Sequence, residues 1–269
     1  MSSSALAGSN GNTGPVGVFD SGIGGLSILQ ALRAALPQED FIYFSDAGHA
    51  PYGERDEAFV AQRSLAITQE LVAQHGIKAL VVACNTATAA AVQLLRAAHR
   101  DLPIAGVEPA LKPAASLSGT SRIAVFATRS TLASARFRAL QRSLQAAATF
   151  VLQPCDGLAA AIEADDATET IALCARYIST AGQFGSNPGQ IDTLVLGCTH
   201  YPFAAPYLTP LLPKAVRLVE AGEPVARQVA RVLEARALLR SGNRTGTLEL
   251  LCSGDPAPLR LAAARWLGI

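Results

Sequence analysis

Two ten-residue segments of the sequence share one design. In ALVVACNTAT, which begins at Ala79, and in TLVLGCTHYP, which begins at Thr193, an apolar run leads to a cysteine and then to hydroxyl or amide residues. A short apolar run bounded by polar residues is typical of a strand that is buried in a parallel sheet. The repeat therefore places Cys84 and Cys198 at equivalent ends of two buried strands.

A second pair of similar segments supports a duplicated fold. VGVFDSG begins at Val16 and IAVFATR at Ile123, and the chain runs 64 residues from the aspartate of the first to Cys84 and 71 residues from the matching alanine to Cys198. Strand and helix patterns alternate in both halves, which predicts mostly parallel sheets covered by helices. We therefore expect an α/β protein of two pseudo-symmetric, doubly wound domains. Its active site should lie in the cleft between them, because ligands bind beyond the carboxyl ends of parallel strands.

The same patterns divide the chain into parts. The first residues, MSSSALAGSNGNTG, are rich in Ser, Gly and Asn and are expected to be disordered. The clearest helices are expected at 26–36, about 57–74 and about 224–239, and the last strand at 248–252. The expected parts are a disordered extension at 1–14, a first α/β domain at 15–107, a second at 108–217 and a segment at 218–269 that returns to the first domain.

Charge and composition exclude several classes of protein. With 22 basic and 21 acidic residues the net charge is +1, which gives no electrostatic footprint for nucleic acid or an acidic membrane. No apolar run approaches the roughly 18 residues of a membrane span, and the N-terminus lacks the pattern of a secretory signal. The five cysteines include no C-x-x-C pair, so a zinc site is not expected. We therefore expect a cytoplasmic protein that binds a small molecule and neither nucleic acid nor a membrane.

The two repeated cysteines suit one kind of chemistry. A thiol at the start of a helix is expected to have a lowered pKa, because backbone N–H groups and the helix dipole favour the thiolate. Asn85, Thr86 and Thr199 follow the cysteines and could bind a carboxylate together with nearby N–H groups. Two thiols on opposite walls of a cleft could remove a proton from a carbon and return one to its other face, which inverts that carbon.

Five segments carry a resemblance to a known family. They are GVFDSGIGGLSIL, YFSDAGHAPYG, VVACNTATA, GVEPA and LVLGCTHYP, and they occur in order between residue 15 and about residue 225. The sequence resembles the glutamate racemases of the cofactor-independent aspartate/glutamate racemase superfamily. The resemblance implies interconversion of L-glutamate and D-glutamate without cofactor or metal, a supply of D-glutamate for peptidoglycan synthesis, and a homodimer.

The resemblance also implies roles for individual residues. Cys84 would deprotonate D-glutamate and Cys198 would deprotonate L-glutamate, with Asp20 assisting Cys84 and His200 assisting Cys198. Glu163, in CDGLAAAIE, would be an auxiliary acid, although that segment departs from the family pattern at its second position. The implied substrate-binding residues are Asp20, Ser21, Tyr52, Gly53, Asn85, Thr86, Thr128, Thr199 and His200.

Several other interpretations stay open for single residues. A lone Cys84 is better explained as a small buried side chain, and Asp20 could be an ordinary helix N-cap. The turn after Asp20 also resembles a dinucleotide-binding loop, but its last glycine is replaced by Ser27. A pyridoxal phosphate enzyme would need a Schiff-base lysine. The sequence has only three lysines, and none lies in a recognisable cofactor motif.

Two other functions are also compatible with the sequence. The chain could be a related enzyme, such as an aspartate racemase or a cysteine-dependent lyase or hydrolase. It could instead be a binding module without activity, although the two intact cysteines disfavour that interpretation.

Overall fold

The computed structural model describes residues 13–269, so the predicted N-terminal extension lies outside the described residues except for its last two positions. Within this range nine strands form two sheets in which every pairing is parallel. The strands are β1 (Val16–Asp20), β2 (Phe41–Ser45), β3 (Ala79–Val82), β4 (Ile104–Gly106), β5 (Arg122–Ala127), β6 (Thr149–Pro154), β7 (Thr193–Leu196), β8 (Arg217–Val219) and β9 (Leu248–Cys252).

The two sheets have related strand orders. The first is β4-β3-β1-β2-β9 and the second is β6-β5-β7-β8. In the first sheet the residue before Asp20 pairs with Val82, and in the second Phe126 pairs with Leu196. The cysteine-bearing strand therefore lies beside the strand of the other repeat in both sheets, and the polar residues that follow them meet at one edge. The predicted fold class, two α/β units with parallel sheets, is confirmed.

Helices cover the faces of both sheets. Aspartate side chains cap the starts of two long helices, at Asp56 and Asp166, and the first of these helices ends at Gly76 in the left-handed conformation with φ of 58°. The helices are α1 (Leu26–Ala35), α2 (Glu57–His75), α3 (Asn85–Ala98), α4 (Leu111–Leu117), α5 (Arg129–Ala133), α6 (Ala135–Ser143), α7 (Leu158–Glu163), α8 (Ala167–Ala181), α9 (Ala205–Leu208), α10 (Gly222–Ala235) and α11 (Pro256–Leu267). Short 3₁₀ turns lie at Ala47–His49, Tyr52–Glu54, Tyr201–Ala204 and Thr209–Leu211.

The strands and helices that the sequence predicted by range are present, with one changed boundary, and the structure adds further elements. Strand β9 has its predicted bounds, but α10 ends at Ala235 rather than near 239, because Ala237 adopts a left-handed conformation with φ of 54°. The edge strand β6 and the C-terminal helix α11 were not predicted. Strand β6 buries none of its six residues fully, so it lacks the continuous apolar run that marks the central strands.

The last part of the chain connects the two sheets. Strand β8 pairs with β7 in the second sheet, α10 packs on α1, and β9 pairs with β2 in the first sheet. One apolar cluster continues from α1 and the first sheet into α7, α8 and the second sheet. The division of the chain at 107/108 and 217/218 stays a prediction, and β8 straddles the second of these boundaries.

Candidate active site

Cys84 lies in the gap between β3 and α3. Its Sγ accepts a hydrogen bond from the Ala87 backbone N–H at 3.4 Å, so the cysteine is the N-cap of α3. The same sulfur lies 3.9 Å from the Ser21 hydroxyl oxygen, and the side chain is buried. The rigid end of a central strand therefore holds this thiol against the turn that follows β1.

Cys198 occupies the equivalent place after β7, and a histidine and a glutamate continue from it. Its Sγ lies 3.8 Å from Nδ1 of His200, and Nε2 of the same ring lies 2.6 Å from Oε2 of Glu163. Cys198 and His200 are buried, while the Glu163 side chain is 25% exposed. The result is a continuous relay of polar groups from the sulfur to a carboxylate at the end of α7.

Both thiols line one cavity of about 650 Å³ between the sheets. The first half supplies lining residues from the turn after β1, the 3₁₀ turn near 52 and the start of α3, and the second half supplies them after β5, β6 and β7. Eleven of the residues predicted for the site lie in this lining: Ser21, Tyr52, Gly53, Cys84, Asn85, Thr86, Thr128, Glu163, Cys198, Thr199 and His200.

Asp20, the remaining predicted residue, lies behind the lining and is fully buried. Its Oδ1 accepts a hydrogen bond from the Gly22 N–H at 2.8 Å, and its Oδ2 accepts one from the Thr199 hydroxyl at 3.0 Å. Burial raises the pKa of this carboxyl to about 6, although the nearby His200 charge and the two hydrogen bonds oppose the shift. Asp20 therefore joins the two halves of the site through its contact with Thr199.

The relay beside Cys198 carries opposite charges. Burial alone would lower the pKa of His200, but its hydrogen bonds and charge interactions with Cys198 and Glu163 raise that pKa well above its ordinary value. Burial alone would raise the pKa of Glu163, but the hydrogen bond and charge of His200 lower it. The pair is therefore an imidazolium and a carboxylate at neutral pH.

The expectation that a helix N-terminus lowers the pKa of Cys84 is wrong for this structure. Burial of the sulfur raises the pKa of the thiol above its usual range, and the neighbouring Asp20 carboxylate raises it further. The hydrogen bonds from Ala87 and Ser21 act in the expected direction but are smaller effects. Loss of water around the sulfur outweighs the helix because the thiolate is stabilised by only two weak donors.

The glycine-rich turn after β1 does not have room for a nucleotide phosphate. A Cβ on Gly22 would lie 2.3 Å from Oε2 of Glu163, and a Cβ on Gly24 would lie 2.3 Å from Nδ1 of His200. The Ile23 N–H between them donates to both Glu163 oxygens, at 3.1 and 3.0 Å. Because these two glycines have no side chains, the turn leaves room for Glu163 and His200 from the second half of the chain.

The opposite side of the cavity is held by a separate network. The Tyr52 hydroxyl donates to Oδ2 of Asp46 at 2.5 Å, and Arg63 donates to both oxygens of that carboxylate. Because its hydroxyl is engaged, Tyr52 offers the cavity its ring and backbone. Across the cavity, Oγ1 of Thr86 lies 3.4 Å from Oγ1 of Thr128.

Some lining residues were missed by the sequence analysis. Arg129 and Asp156 line the cavity mouth, as does Glu54, and Cys155 borders it while remaining buried. The signal was available for Arg129 because it follows Thr128 directly. Cys155 and Asp156 begin the CDGLAAAIE segment, from which the sequence analysis assigned only Glu163 to the site; the strand β6 that delivers them to the cavity was not predicted.

Known proteins with the same architecture match this chain over most of its length. A glutamate racemase from Stutzerimonas stutzeri is 46% identical over 244 residues, which cover 90% of this chain and 89% of that protein. The crystal structure of glutamate racemase isoform RacE1 from Bacillus anthracis matches with a TM-score of 0.85 and 28% identity, over 96% of this chain and 95% of that one. Escherichia coli glutamate racemase, solved with L-glutamate and the activator UDP-MurNAc-ala, matches with a TM-score of 0.81 and 30% identity, over 94% and 95%.

The paired parallel sheets and the buried Cys84 and Cys198 in one cavity, together with these similarities, define an amino-acid racemase. The model of one family, Asp/Glu/Hydantoin racemase, matches residues 26–229, which is most of the chain. The chain belongs to this family.

Proposed function

We propose that the chain interconverts L-glutamate and D-glutamate with Cys84 and Cys198 as the two acid–base groups. The observation that carries the proposal is that Cys84 and Cys198, which follow equivalent strands of the two sheets, are both buried in the lining of a single cavity. The similarity to proteins named glutamate racemase supports the choice of substrate.

The reaction needs one base and one acid on opposite faces of the α-carbon. With D-glutamate bound, the Cys84 thiolate removes the α-proton, and the Cys198 thiol gives its proton to the other face of the carbanion. With L-glutamate the roles are reversed. Each turnover leaves the proton on the opposite sulfur, so the two thiols must exchange protons with the surroundings before the same enantiomer reacts again.

The charges of the site assist each thiol in a different way. Burial of the Cys84 sulfur raises its pKa and favours the protonated thiol. The α-ammonium group of the substrate brings a positive charge close to this sulfur and favours its thiolate. A thiolate with a high pKa is a strong base, which suits removal of a proton from carbon. On the other side, the His200 imidazolium faces the Cys198 sulfur and is balanced by Glu163.

Neutral donors dominate the interior of the cavity. Hydroxyl groups come from Ser21, Thr86, Thr128 and Thr199 and an amide from Asn85, and no lysine is in the lining formed by the described residues. Hydroxyl and N–H groups can hold a carboxylate of glutamate without adding a fixed charge beside the thiols. In a cavity that excludes water, each of these hydrogen bonds is stronger than in solution.

The proposal includes the setting of the reaction. We expect the enzyme to act in the cytoplasm as a homodimer and to supply D-glutamate for peptidoglycan synthesis. We expect it to need no cofactor or metal. An absorbance band of bound pyridoxal in the purified protein would contradict this expectation. Among residues 13–269, no helix has the length and apolarity required to cross a membrane, and no three His, Cys, Asp or Glu side chains are grouped as metal ligands.

The test of the mechanism replaces each thiol in turn. In Cys84→Ser and Cys198→Ser we expect racemisation, followed by circular dichroism, to fall by about 10³-fold or more, because a hydroxyl is a far weaker acid and its conjugate base is not populated. Cys252→Ser changes a partly exposed thiol outside the cavity and should racemise glutamate like the wild type.

A second substrate distinguishes loss of one base from loss of the whole site. Elimination of a leaving group from a β-substituted glutamate needs only removal of the α-proton. Cys84→Ser should therefore still act on the L-enantiomer of such a compound, and Cys198→Ser on the D-enantiomer. Wild-type racemisation by either variant would refute the two-thiol mechanism. Rotation change with aspartate but none with glutamate would refute the proposed substrate.

A further inference from the structure

An ion pair lies at the mouth of the cavity, outside the residues assigned to catalysis. Arg129 is the first residue of α5, and its Nη2 lies 2.5 Å from Oδ2 of Asp156. Each of the two residues stands two positions beyond the end of its strand, β5 or β6, and these strand ends are paired at Ala127 and Pro154. The pair therefore lies at the edge of the sheet where ligands of parallel α/β proteins bind.

The backbone that carries Asp156 is fixed from beneath. The buried Tyr177 donates its hydroxyl to the Asp156 carbonyl oxygen at 2.5 Å, and the buried Tyr201 donates to the Cys155 carbonyl oxygen at 3.2 Å. The side chains themselves remain open, with Arg129 69% and Asp156 55% exposed. The carboxylate is therefore held at a fixed point on the rim, within reach of both the arginine and the solvent.

The charges of the lining give Arg129 a particular importance. Inside the cavity the Glu163 carboxylate is matched by the His200 imidazolium, and Asp20 behind them adds negative charge above its pKa of about 6. At the mouth, Glu54 and Asp156 are acidic and Arg129 is basic. Among the described residues that line the cavity, Arg129 is the only arginine or lysine, and its partner carboxylate, Asp156, is exposed. Without it, the ionised side chains of the lining would carry a net negative charge and would repel a substrate of net negative charge.

We propose that Arg129 determines the preference for an acidic substrate by capturing its side-chain carboxylate at the mouth, and that Asp156 is the partner which this carboxylate replaces. The inference rests on the proposed racemisation of glutamate. An exposed ion pair adds little stability, because water and salt screen it and two long side chains must be ordered to form it. Exchanging Asp156 for a substrate carboxylate therefore costs little, and an arginine can bind either carboxylate through two N–H groups.

The two partners should respond in opposite directions to mutation. Arg129→Gln removes the attraction, so we expect kcat/KM for D-glutamate at low ionic strength to fall about tenfold, mainly through KM. Asp156→Asn removes a competing carboxylate, so kcat/KM should rise severalfold. Added salt should lower kcat/KM of the wild type and of Asp156→Asn, because it screens the attraction of Arg129 for the substrate. In Arg129→Gln the remaining acidic groups repel the substrate, so added salt should no longer lower kcat/KM and should raise it slightly.

Three controls separate this role from a structural one. Arg227→Gln breaks another exposed pair, with Glu223 on α10, and should leave kcat/KM and its salt dependence unchanged. Arg129→Lys keeps the charge and should retain most of the salt dependence. Urea unfolding of each variant should match the wild type within error, since the pair is exposed.

Different outcomes would overturn this inference and the proposed function on which it rests. An unchanged KM in Arg129→Gln, or a lower kcat/KM in Asp156→Asn, would show that the pair only braces the rim. If the wild type itself did not racemise glutamate, the proposed function would fail, and this inference with it.

Discussion

At the scale of single residues, burial of Asp20 disfavours the ionised form of its carboxyl. Its carboxyl is fully buried, and its pKa is raised from 3.8 to about 6. A folded protein that binds this proton more tightly than the unfolded chain loses stability as the pH rises from about 4 to above 6. At neutral pH the ionised carboxylate of Asp20 therefore lowers the stability of the folded protein. We attribute the presence of this aspartate to its position behind the cavity and its contact with Thr199.

Replacing Asp20 with asparagine should raise stability while lowering activity. A shift of about two pKa units corresponds to about 3 kcal/mol, which is the upper limit of the expected gain at pH 7.5. At pH 3 the gain should nearly vanish, because the carboxyl is then largely protonated in both the folded and the unfolded protein. Urea unfolding at the two pH values measures this difference, and equal effects at both would contradict the pKa assignment.

Glu163 should control the proton of His200. In Glu163→Gln the carboxylate that helps to raise the pKa of His200 is lost, so the imidazolium should lose its proton at a lower pH than in the wild type. We expect the alkaline limb of the racemisation rate to move to lower pH, with a loss of about tenfold or more at pH 8 and a smaller loss at pH 6.

The matched control for this variant is Glu249→Gln. Glu249 lies 3.8 Å from the ring of His75, outside the cavity, so its loss should leave the pH profile unchanged. A Glu163→Gln profile that overlays the wild type would show that the carboxylate does not govern His200.

At the scale of elements, the turn between β1 and α1 is shaped by a part of the chain more than 130 residues away. A Cβ at position 24 would overlap the His200 ring, which is held on its other side by Glu163. Gly24→Ala should therefore displace His200, lower the racemisation rate by about 10²-fold and lower the free energy of unfolding by about 1–3 kcal/mol.

A glycine outside the site provides the comparison for Gly24. At Gly119 a new Cβ would lie 3.5 Å from its nearest neighbour, an ordinary contact, so Gly119→Ala should retain activity. Activity measurements and urea unfolding test both variants. Normal activity in Gly24→Ala would mean that the ring can move aside without consequence.

The sequence predicted the central strands and the residues at their ends, because continuous apolar runs and the repeated cysteines mark both. It did not predict β6, whose residues are only partly buried, and so Asp156 was missed as a neighbour of the cavity. The glycines of the turn after β1 are evident in the sequence, but the reason that they must be glycines is not. Their neighbours come from the other half of the chain, and no local pattern records such a contact.

At the scale of the whole molecule, the two halves are joined at one side of the cavity by short polar contacts. The Ser27 hydroxyl lies 2.8 Å from the carbonyl oxygens of both Gly24 and Thr199, and Asp20 accepts from the Thr199 side chain. On the far side the contact between Thr86 and Thr128 is longer, at 3.4 Å. The Cys198 segment is thus fastened firmly to the first half.

Removing one of these contacts should loosen the site. Ser27→Ala should lower the free energy of unfolding by about 1 kcal/mol and lower kcat severalfold, because the segment of Thr199 and His200 loses a fixed partner. Ser143→Ala removes a hydroxyl that bonds only within α6, and should leave kcat unchanged. Equal kcat values for Ser27→Ala and the wild type would show that the contact does not position the site.

The pairing of β2 with β9 has a consequence during synthesis of the chain. β2, with the sequence FIYFS, is formed early, whereas its outer neighbour begins at Leu248, more than 200 residues later. Until the ribosome has released that last stretch, the edge of an apolar strand stays open, and open edges of this kind recruit other chains into aggregates. A nascent chain halted before Leu248 should therefore depend on chaperones to remain soluble, while the full-length chain should not.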